Sequence, residues 1–153
     1  MMLHTDFMLT LDRMYASSTL LNDNQNYYNS CYLAGYVVEC YLKQIIYLYA
    51  AKDDGSNYSI TDIKVYQHRL DKLVTDLSDT INIASGIPAA CRIDIKALCR
   101  TICTGTGGYP QWNPKYRYGE HPAWDDKNYA GDYQKEIAQL YQDISSLRLR
   151  GLL

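Results

Sequence analysis

The sequence predicts an all-α protein, an antiparallel bundle of about five helices with a long aromatic loop before the last helix. Apolar residues recur at steps of three and four in five blocks of the 153-residue chain, which is the spacing of an α-helix. Alternating patterns are short, and the best candidate strand, at Ser59 and Ile60, is poor. The length fits one domain, which we expect to span residues 1–153.

The first two blocks predict a pair of long helices. The first covers residues 7–21, and the polar run NDNQN at 22–26 ends it. The second, residues 27–49, is apolar nearly all round, which is typical of a bundle centre or a membrane span. Its two charges, Glu39 and Lys43, would each cost about 2.5–3.5 kcal/mol near the middle of a membrane. We therefore expect the second helix to be the central helix of a bundle and expect no membrane association.

Three further blocks complete the predicted bundle. The third covers residues 63–77 and stops by Gly-Ile-Pro at 86–88, and the fourth covers 91–102 and ends at 104–105. The fifth runs over about 126–149 with a heptad of apolar a and d positions, so it predicts a long helix that packs along its length.

Composition argues against several function classes, although it leaves nucleic-acid binding open. The formal net charge of −2 and pI near 5.8 argue against broad, charge-driven phosphate binding, and no DNA-specific motif is present. Sixteen tyrosines against one phenylalanine suit helix packing and interfaces. The odd number of cysteines, with no CxxC pair and no signal-like start, favours reduced, buried thiols and a cytoplasmic protein over a zinc site or a disulfide framework. No metal and no cofactor are expected.

One segment, residues 104–125, does not belong to a bare bundle. It holds three of the four prolines, four of the nine glycines and both tryptophans. Loops longer than about 12–15 residues are uncommon in compact domains unless they are functional or disordered. Its many aromatic residues argue against disorder, so we expect an ordered connection laid over the bundle.

This loop carries the most chemically suggestive pair of the chain, Arg117 and His121. A histidine near neutrality can move protons to and from a 2′-hydroxyl and a leaving oxygen. An arginine fork can stabilise the charge of the transition state, so the two together can cleave RNA without a metal. The same region supplies predicted nucleic-acid or ligand contacts: Lys115, Tyr116 and Trp112. Residues predicted to support the pair are Glu39, Lys43 and Tyr118.

A purely structural interpretation stays open beside this one. Arg117 would pair with a bundle carboxylate, for example Glu39, and His121 would cap the last helix or face solvent. Glu39 and Lys43 are four residues apart in the favourable order on one helix face, and their expected role is architectural. His68, in HRLDKL, is expected to make local helix-entry hydrogen bonds, and His4 at the N-terminus carries little weight.

Together, these segments resemble the HEPN family, which comprises small helical-bundle proteins found beside minimal nucleotidyltransferases and in toxin–antitoxin and phage-defence systems. The matching parts are YLAGYVVECYLKQII with Glu39 and Lys43, HRLDKL at His68, WNPKYRYGEH and the long last helix. They cover the chain from about Asp12 to Ser146.

The resemblance implies both an activity and a reason to doubt it in this chain. Active members are metal-independent endoribonucleases with an Arg, four to six intervening residues and then a His, which usually meet at a dimer interface. Here three residues separate Arg117 from His121, and no other Arg stands at the family spacing. One subgroup has a Tyr, two residues after the His, that its antitoxin adenylylates; this chain has Ala123 there. These departures favour a non-catalytic member, while the shorter spacing leaves the enzyme open.

Three functions are therefore carried forward. The first is a homodimeric binding and assembly module that engages a nucleotidyltransferase or another defence or toxin–antitoxin partner. The second is a toxin-type RNase that uses His121 as general acid and base and Arg117 as phosphate stabiliser. The third is a structural helical protein without a ligand. The sequence favours the first.

Overall fold

The computed structural model describes residues 6–77 and 86–153, and these residues form an all-α bundle, as predicted. Within them the backbone makes one isolated β-bridge, between Ala51 and Asn57, and no strand. The helices are α1 Phe7–Asp23, α2 Tyr27–Tyr49, α3 Ile60–Lys64, α4 Leu70–Asp76, α5 Ile95–Leu98, α6 Arg100–Thr104 and α7 Lys127–Leu149. Two short 3-10 helices cover Ala89–Cys91 and Pro114–Tyr118.

The three long helices α1, α2 and α7 build the scaffold. Most of α2 is buried, as expected for a central helix. In α7 the predicted heptad positions face the core, and they are Ala130, Tyr133, Ile137, Leu140, Ile144 and Leu147. The side chain of Asp126 accepts the N–H of Tyr129 at the start of α7 and so fixes where that helix begins.

Polar contacts hold these three helices in register. The hydroxyls of Ser18 and Ser30 lie 3.3 Å apart, and the amide of Gln134 donates to both. At the other end of the pair α1 and α7, the guanidinium of Arg148 donates two hydrogen bonds to the carboxylate of Asp12. Buried polar groups satisfied in this way favour one specific helix arrangement over alternatives of similar hydrophobicity.

The prediction of one continuous third helix is wrong, because the chain forms two short helices, α3 and α4, with a turn between them. Gln67 in this turn has a φ of 50°, which interrupts helical geometry. The Gln67 carbonyl oxygen accepts a hydrogen bond from the ammonium of Lys43 on α2 at 2.6 Å. That contact with another helix draws the carbonyl out of a helical bonding pattern. Residues 78–85, which lie between the third block and its predicted stop at 86–88, are outside the described residues.

The fourth block is also divided, into a 3-10 turn at Ala89–Cys91 and the helices α5 and α6, which meet at Cys99. Its predicted end is confirmed. Gly105 follows α6 with a φ of 73°, and a Cβ there would meet the carbonyl oxygen of Tyr109 at 2.2 Å. The positive φ of Gly105 cannot continue an α-helix, so the helix ends there, and only glycine fits this position.

The aromatic segment that follows is an ordered connection, as predicted. Both of its tryptophans are buried, and Trp112 lies on α2 directly over Gly35. The indole N–H of Trp112 donates to the carbonyl of Tyr32 at 3.0 Å, and its backbone N–H donates to the carbonyl of Ile102. The segment is thereby fixed to both α2 and α6.

The apolar character of α2 does not make it a membrane helix. Within residues 6–77 and 86–153, no helix combines the length and the apolarity that crossing a membrane would require.

Candidate functional site

His121 lies inside the aromatic segment with 4% of its surface exposed. Its ring stacks on Trp124 at 4.8 Å between centroids, and the ring of Tyr116 meets it edge-on at 5.0 Å. The expectation that His121 faces solvent or caps the last helix is wrong, because the ring is enclosed by aromatic side chains and Asp126 provides the cap.

Both ring nitrogens of His121 are bonded to the backbone. Nδ1 accepts the N–H of Ala123 at 3.1 Å, and Nε2 lies 3.2 Å from the carbonyl oxygen of Pro110. Because an N–H donates and a carbonyl only accepts, the ring is the neutral tautomer with its hydrogen on Nε2. Burial lowers the pKa of His121, and the Pro110 carbonyl only partly opposes that effect. The ring therefore braces the turn that leads into α7.

Arg117 and Tyr118 lie on the outside of the same segment. The guanidinium donates to the Tyr118 hydroxyl at 2.6 Å and lies over its ring, 4.7 Å from the centroid. Tyr118 itself is 72% exposed. The expected pairing of Arg117 with Glu39 is wrong, since the carboxylate of Glu39 bonds to other groups.

The remaining loop residues of the predicted site differ in accessibility. Lys115 is exposed, and its ammonium lies over the ring of Tyr116 at 5.3 Å. Tyr116 is half-buried, and its carbonyl accepts a hydrogen bond from the hydroxyl of Tyr28 on α2. Trp112 is 2% exposed. Lys115 therefore presents its side chain to solvent, whereas Trp112 secures the loop to the bundle.

A second group of polar residues forms around Glu39. The predicted pair is present, with the ammonium of Lys43 2.6 Å from Oε1 of Glu39, and both side chains are buried. His68 Nδ1 lies 2.9 Å from the same oxygen. The expected local, helix-entry role of His68 is therefore wrong, because the ring reaches from the turn before α4 back to α2. His4 lies outside the described residues.

Tyr36 connects this group to Tyr32. Its ring meets the ring of His68 edge-on at 5.3 Å, and its hydroxyl lies 2.9 Å from that of Tyr32. The pKa of Arg117 is raised, first by the hydroxyl of Tyr118 and then by that of Tyr32. We call Tyr32, Tyr36 and His68 the Tyr36 surface.

Sequence reasoning missed the Tyr36 surface, although one signal was present. Tyr32, Tyr36, Glu39 and Lys43 follow one another at steps of four, three and four, which places them on one face of α2. Nothing local indicates that His68 would join that face. The structure thus brings His68 to Tyr36 and Glu39, while the contacts of Arg117 are with Tyr118 and those of His121 are with the backbone and aromatic rings.

The cysteines supply no reactive group. All five are free and buried. Burial raises the pKa of Cys40 to about 12 and that of Cys103 to about 12, so both are thiols rather than nucleophilic thiolates at neutral pH. Within the part of the chain that the structure describes, no three His, Cys, Asp or Glu side chains are grouped as metal ligands.

Comparison with protein-family models, with curated proteins and with solved structures finds nothing that matches this chain. The class defined by the structure is therefore a small all-α bundle with an ordered aromatic segment, and the HEPN resemblance stays a prediction.

Proposed function

We propose that this chain is a HEPN-like helical module that acts by binding. It would form a homodimer and serve as an assembly component beside a nucleotidyltransferase or another defence or toxin–antitoxin partner. The order of its sequence segments and its all-α architecture support this proposal.

The state of His121 is the observation that carries the proposal. A general base needs a free lone pair and a general acid needs a proton it can release. The backbone occupies both nitrogens of His121 and the ring is buried, so this histidine serves the turn rather than a substrate. Arg117 and Tyr118 are exposed by contrast, and Arg and Tyr are the residue types enriched at binding interfaces.

Exposed apolar residues on α1 support the assembly part of the proposal. Leu9 and Leu20 are 57% and 63% exposed. They are eleven residues apart, which is close to three full turns, so they lie on one side of the helix. Burial of such side chains stabilises an association by about 25 cal/mol per Å².

The test combines an assay of RNA cleavage with a measurement of the molecular mass of the protein in solution. Purified protein is incubated with total cellular RNA in EDTA at micromolar concentration, and its mass is measured by light scattering after size exclusion. We expect no cleavage and a mass of twice the 17.6 kDa of one chain.

RNA cleavage in EDTA that is lost in both Arg117→Ala and His121→Ala, with the fold retained, would overturn the proposal and favour the metal-independent endoribonuclease. A protein that stays monomeric, does not cleave RNA and does not bind a nucleotidyltransferase would favour the purely structural protein.

A further inference from the structure

A half-enclosed cavity of about 300 Å³ lies between α2, α4 and the segment that leads into α5. The residues that line it lie in 41–45, 74–77 and 87–95. Protein interiors are close-packed and contain few voids larger than a water molecule. Ligand sites have volumes of about 300–1,000 Å³ and occur between the helices of bundles. The cavity therefore has the size and the place of a site for a small molecule.

The floor of the cavity is apolar. Leu42 and Ile45 reach it from α2, Ile95 from α5 and Leu77 from the end of α4, and each of these residues is at most 9% exposed. An apolar part of a ligand that enters the cavity leaves water and contacts these side chains, which favours binding.

Arg92 and Asp94 form the polar rim of the cavity, and both are exposed. The Nε–H of Arg92 donates to the carbonyl oxygen of Ile87 at 3.0 Å. A guanidinium has five donors, and within residues 6–77 and 86–153 the other four of Arg92 make no hydrogen bond. Asp94 already has a structural role, because its carboxylate accepts the N–H of Ala97 at 3.2 Å and caps α5. The rim therefore offers hydrogen-bond donors from Arg92 to a ligand.

The backbone that carries Arg92 is fixed before any ligand binds. The hydroxyl of Tyr41 on α2 donates to the carbonyl oxygen of Cys91 at 3.1 Å. In the 3-10 turn, the N–H groups of Cys91 and Arg92 donate to the carbonyl oxygens of Pro88 and Ala89 at 2.9 and 3.1 Å. A site that is already ordered loses less entropy on binding.

We propose that this cavity binds a small molecule with an apolar tail and one carboxylate. The tail lies on the apolar floor, and the carboxylate accepts hydrogen bonds from Arg92. The planar guanidinium matches the two oxygens of a carboxylate. Asp94 at the same rim repels negative charge, so a head group with one charge is favoured over a doubly charged phosphate. This inference goes beyond the proposed function, because the ligand is neither a protein nor RNA.

Methyl NMR of the full chain tests the location of the site, with octanoate as the probe at concentrations below those at which it forms micelles. The methyl resonances of Ile45 and Ile95 should shift on titration, because both residues line the cavity. The methyl resonances of Ile63 on α3 should not shift, since Ile63 is buried but does not line the cavity.

Two probes with the same tail test the head group. Octan-1-ol keeps the tail without a charge, and octylamine replaces the carboxylate with an ammonium. We expect octanoate to bind more tightly than octan-1-ol, because only the carboxylate forms charge-assisted hydrogen bonds to Arg92. Octylamine should bind most weakly, since its charge has the same sign as the guanidinium. Binding of octan-1-ol or octylamine as tight as that of octanoate would overturn the assignment of a carboxylate ligand.

Arg92→Gln tests the role of the arginine. It should weaken octanoate binding about tenfold, which corresponds to about 1.4 kcal/mol, and leave octan-1-ol binding unchanged. Arg100→Gln is the matched control, because it removes the same charge from an exposed arginine on α6 that does not line the cavity. Equal weakening of octanoate binding by the two variants would show a general effect of charge and would overturn the role of Arg92.

Val74→Phe tests whether the probes enter the cavity, because Val74 lines it and is 5% exposed. A folded Val74→Phe variant should bind both octanoate and octan-1-ol more weakly, and unchanged binding of both would overturn the location. A larger side chain at a buried position can also destabilise the fold. The wild-type methyl shifts and the exposed Arg92→Gln variant therefore test the proposal independently of Val74→Phe.

Two results with the wild type would overturn the site itself. One is the absence of methyl shifts at Ile45 and Ile95 with millimolar octanoate, and the other is an equal shift at Ile63. Neither result bears on RNA cleavage, on the mass of the protein in solution or on partner binding. Failure of this inference is therefore distinguishable from failure of the proposed function.

Discussion

Replacing Gly35 with alanine should destabilise the protein, although the same change in an exposed helix is stabilising. A Cβ built on Gly35 would lie 2.0 Å from Cε2 of Trp112, and the two other nearest atoms belong to the same indole at 2.1 and 2.3 Å. Carbon atoms in contact are about 3.5–4.0 Å apart. The indole would therefore have to move by more than 1 Å, or α2 would have to bend.

The magnitude follows from three terms. Overpacking a well-packed core costs about 1–3 kcal/mol. Displacing Trp112 also breaks the hydrogen bond from its Nε1 to the carbonyl of Tyr32, which leaves a buried indole N–H without an acceptor and adds about 1–3 kcal/mol. The helix propensity of alanine offsets about 1 kcal/mol of this. We expect a net loss of about 1–5 kcal/mol, which is about 2–20 °C in Tm for a chain of this size.

Urea unfolding followed by circular dichroism measures this loss, and Gly131→Ala is the matched control. Gly131 lies within α7, and a Cβ there would meet nothing within 4 Å. That variant should gain about 0.5–1 kcal/mol. If Gly35→Ala is as stable as the wild type or more stable, then Trp112 does not lie over Gly35 and the described anchoring of the aromatic segment is wrong.

Three further predictions concern contacts that hold the helices. The hydrogen bond from Arg148 holds the pKa of Asp12 below its ordinary value of 3.8, so this carboxylate stabilises the protein above that pH and the effect is lost as pH falls through the folded-state pKa. Asp12→Asn should lower the free energy of unfolding by about 1 kcal/mol at pH 7. The urea midpoints of variant and wild type should converge well below pH 3.8, and equal midpoints at pH 7 would contradict the role of the pair. The carboxylate of Glu136 accepts the backbone N–H groups of Thr101 and Ile102, in the first turn of α6, at 3.1 and 3.0 Å. Glu136→Ala should therefore cost about 1–3 kcal/mol and speed the hydrogen exchange of these two amides. Unchanged exchange would refute this role. Asp126→Ala removes the N-cap of α7 and should cost about 1 kcal/mol in thermal unfolding. If alanine at an exposed aspartate that caps no helix causes the same loss, the cap is not the cause.

Helices that depend on local pattern were predictable. The limits of α2 match the apolar run of the sequence, and α7 follows a heptad and begins after Asp126, because both signals lie within a few residues of the structure they specify. The break between α3 and α4 was not predictable, since it depends on Lys43 bonding the carbonyl of Gln67, 24 residues away.

In the candidate site, too, features set by local sequence were predictable and features set by distant contacts were not. Arg117 was correctly expected to lie in an ordered loop, but its relation to His121 was inferred from closeness in sequence, and the backbone turn points the imidazole inward to Pro110. His68 was given a local role because HRLDKL reads as a helix start, and its partner Glu39 is 29 residues earlier.

The sequence alone therefore determined that the chain is all-α, which segments form the long helices, and that the segment rich in proline and tryptophan is ordered. These properties follow from the periodic burial of apolar side chains, which acts over one or two helical turns. The tertiary structure decided which histidine is accessible and which groups surround it. A side chain's partners depend on how distant helices pack, and no spacing within a single segment records that.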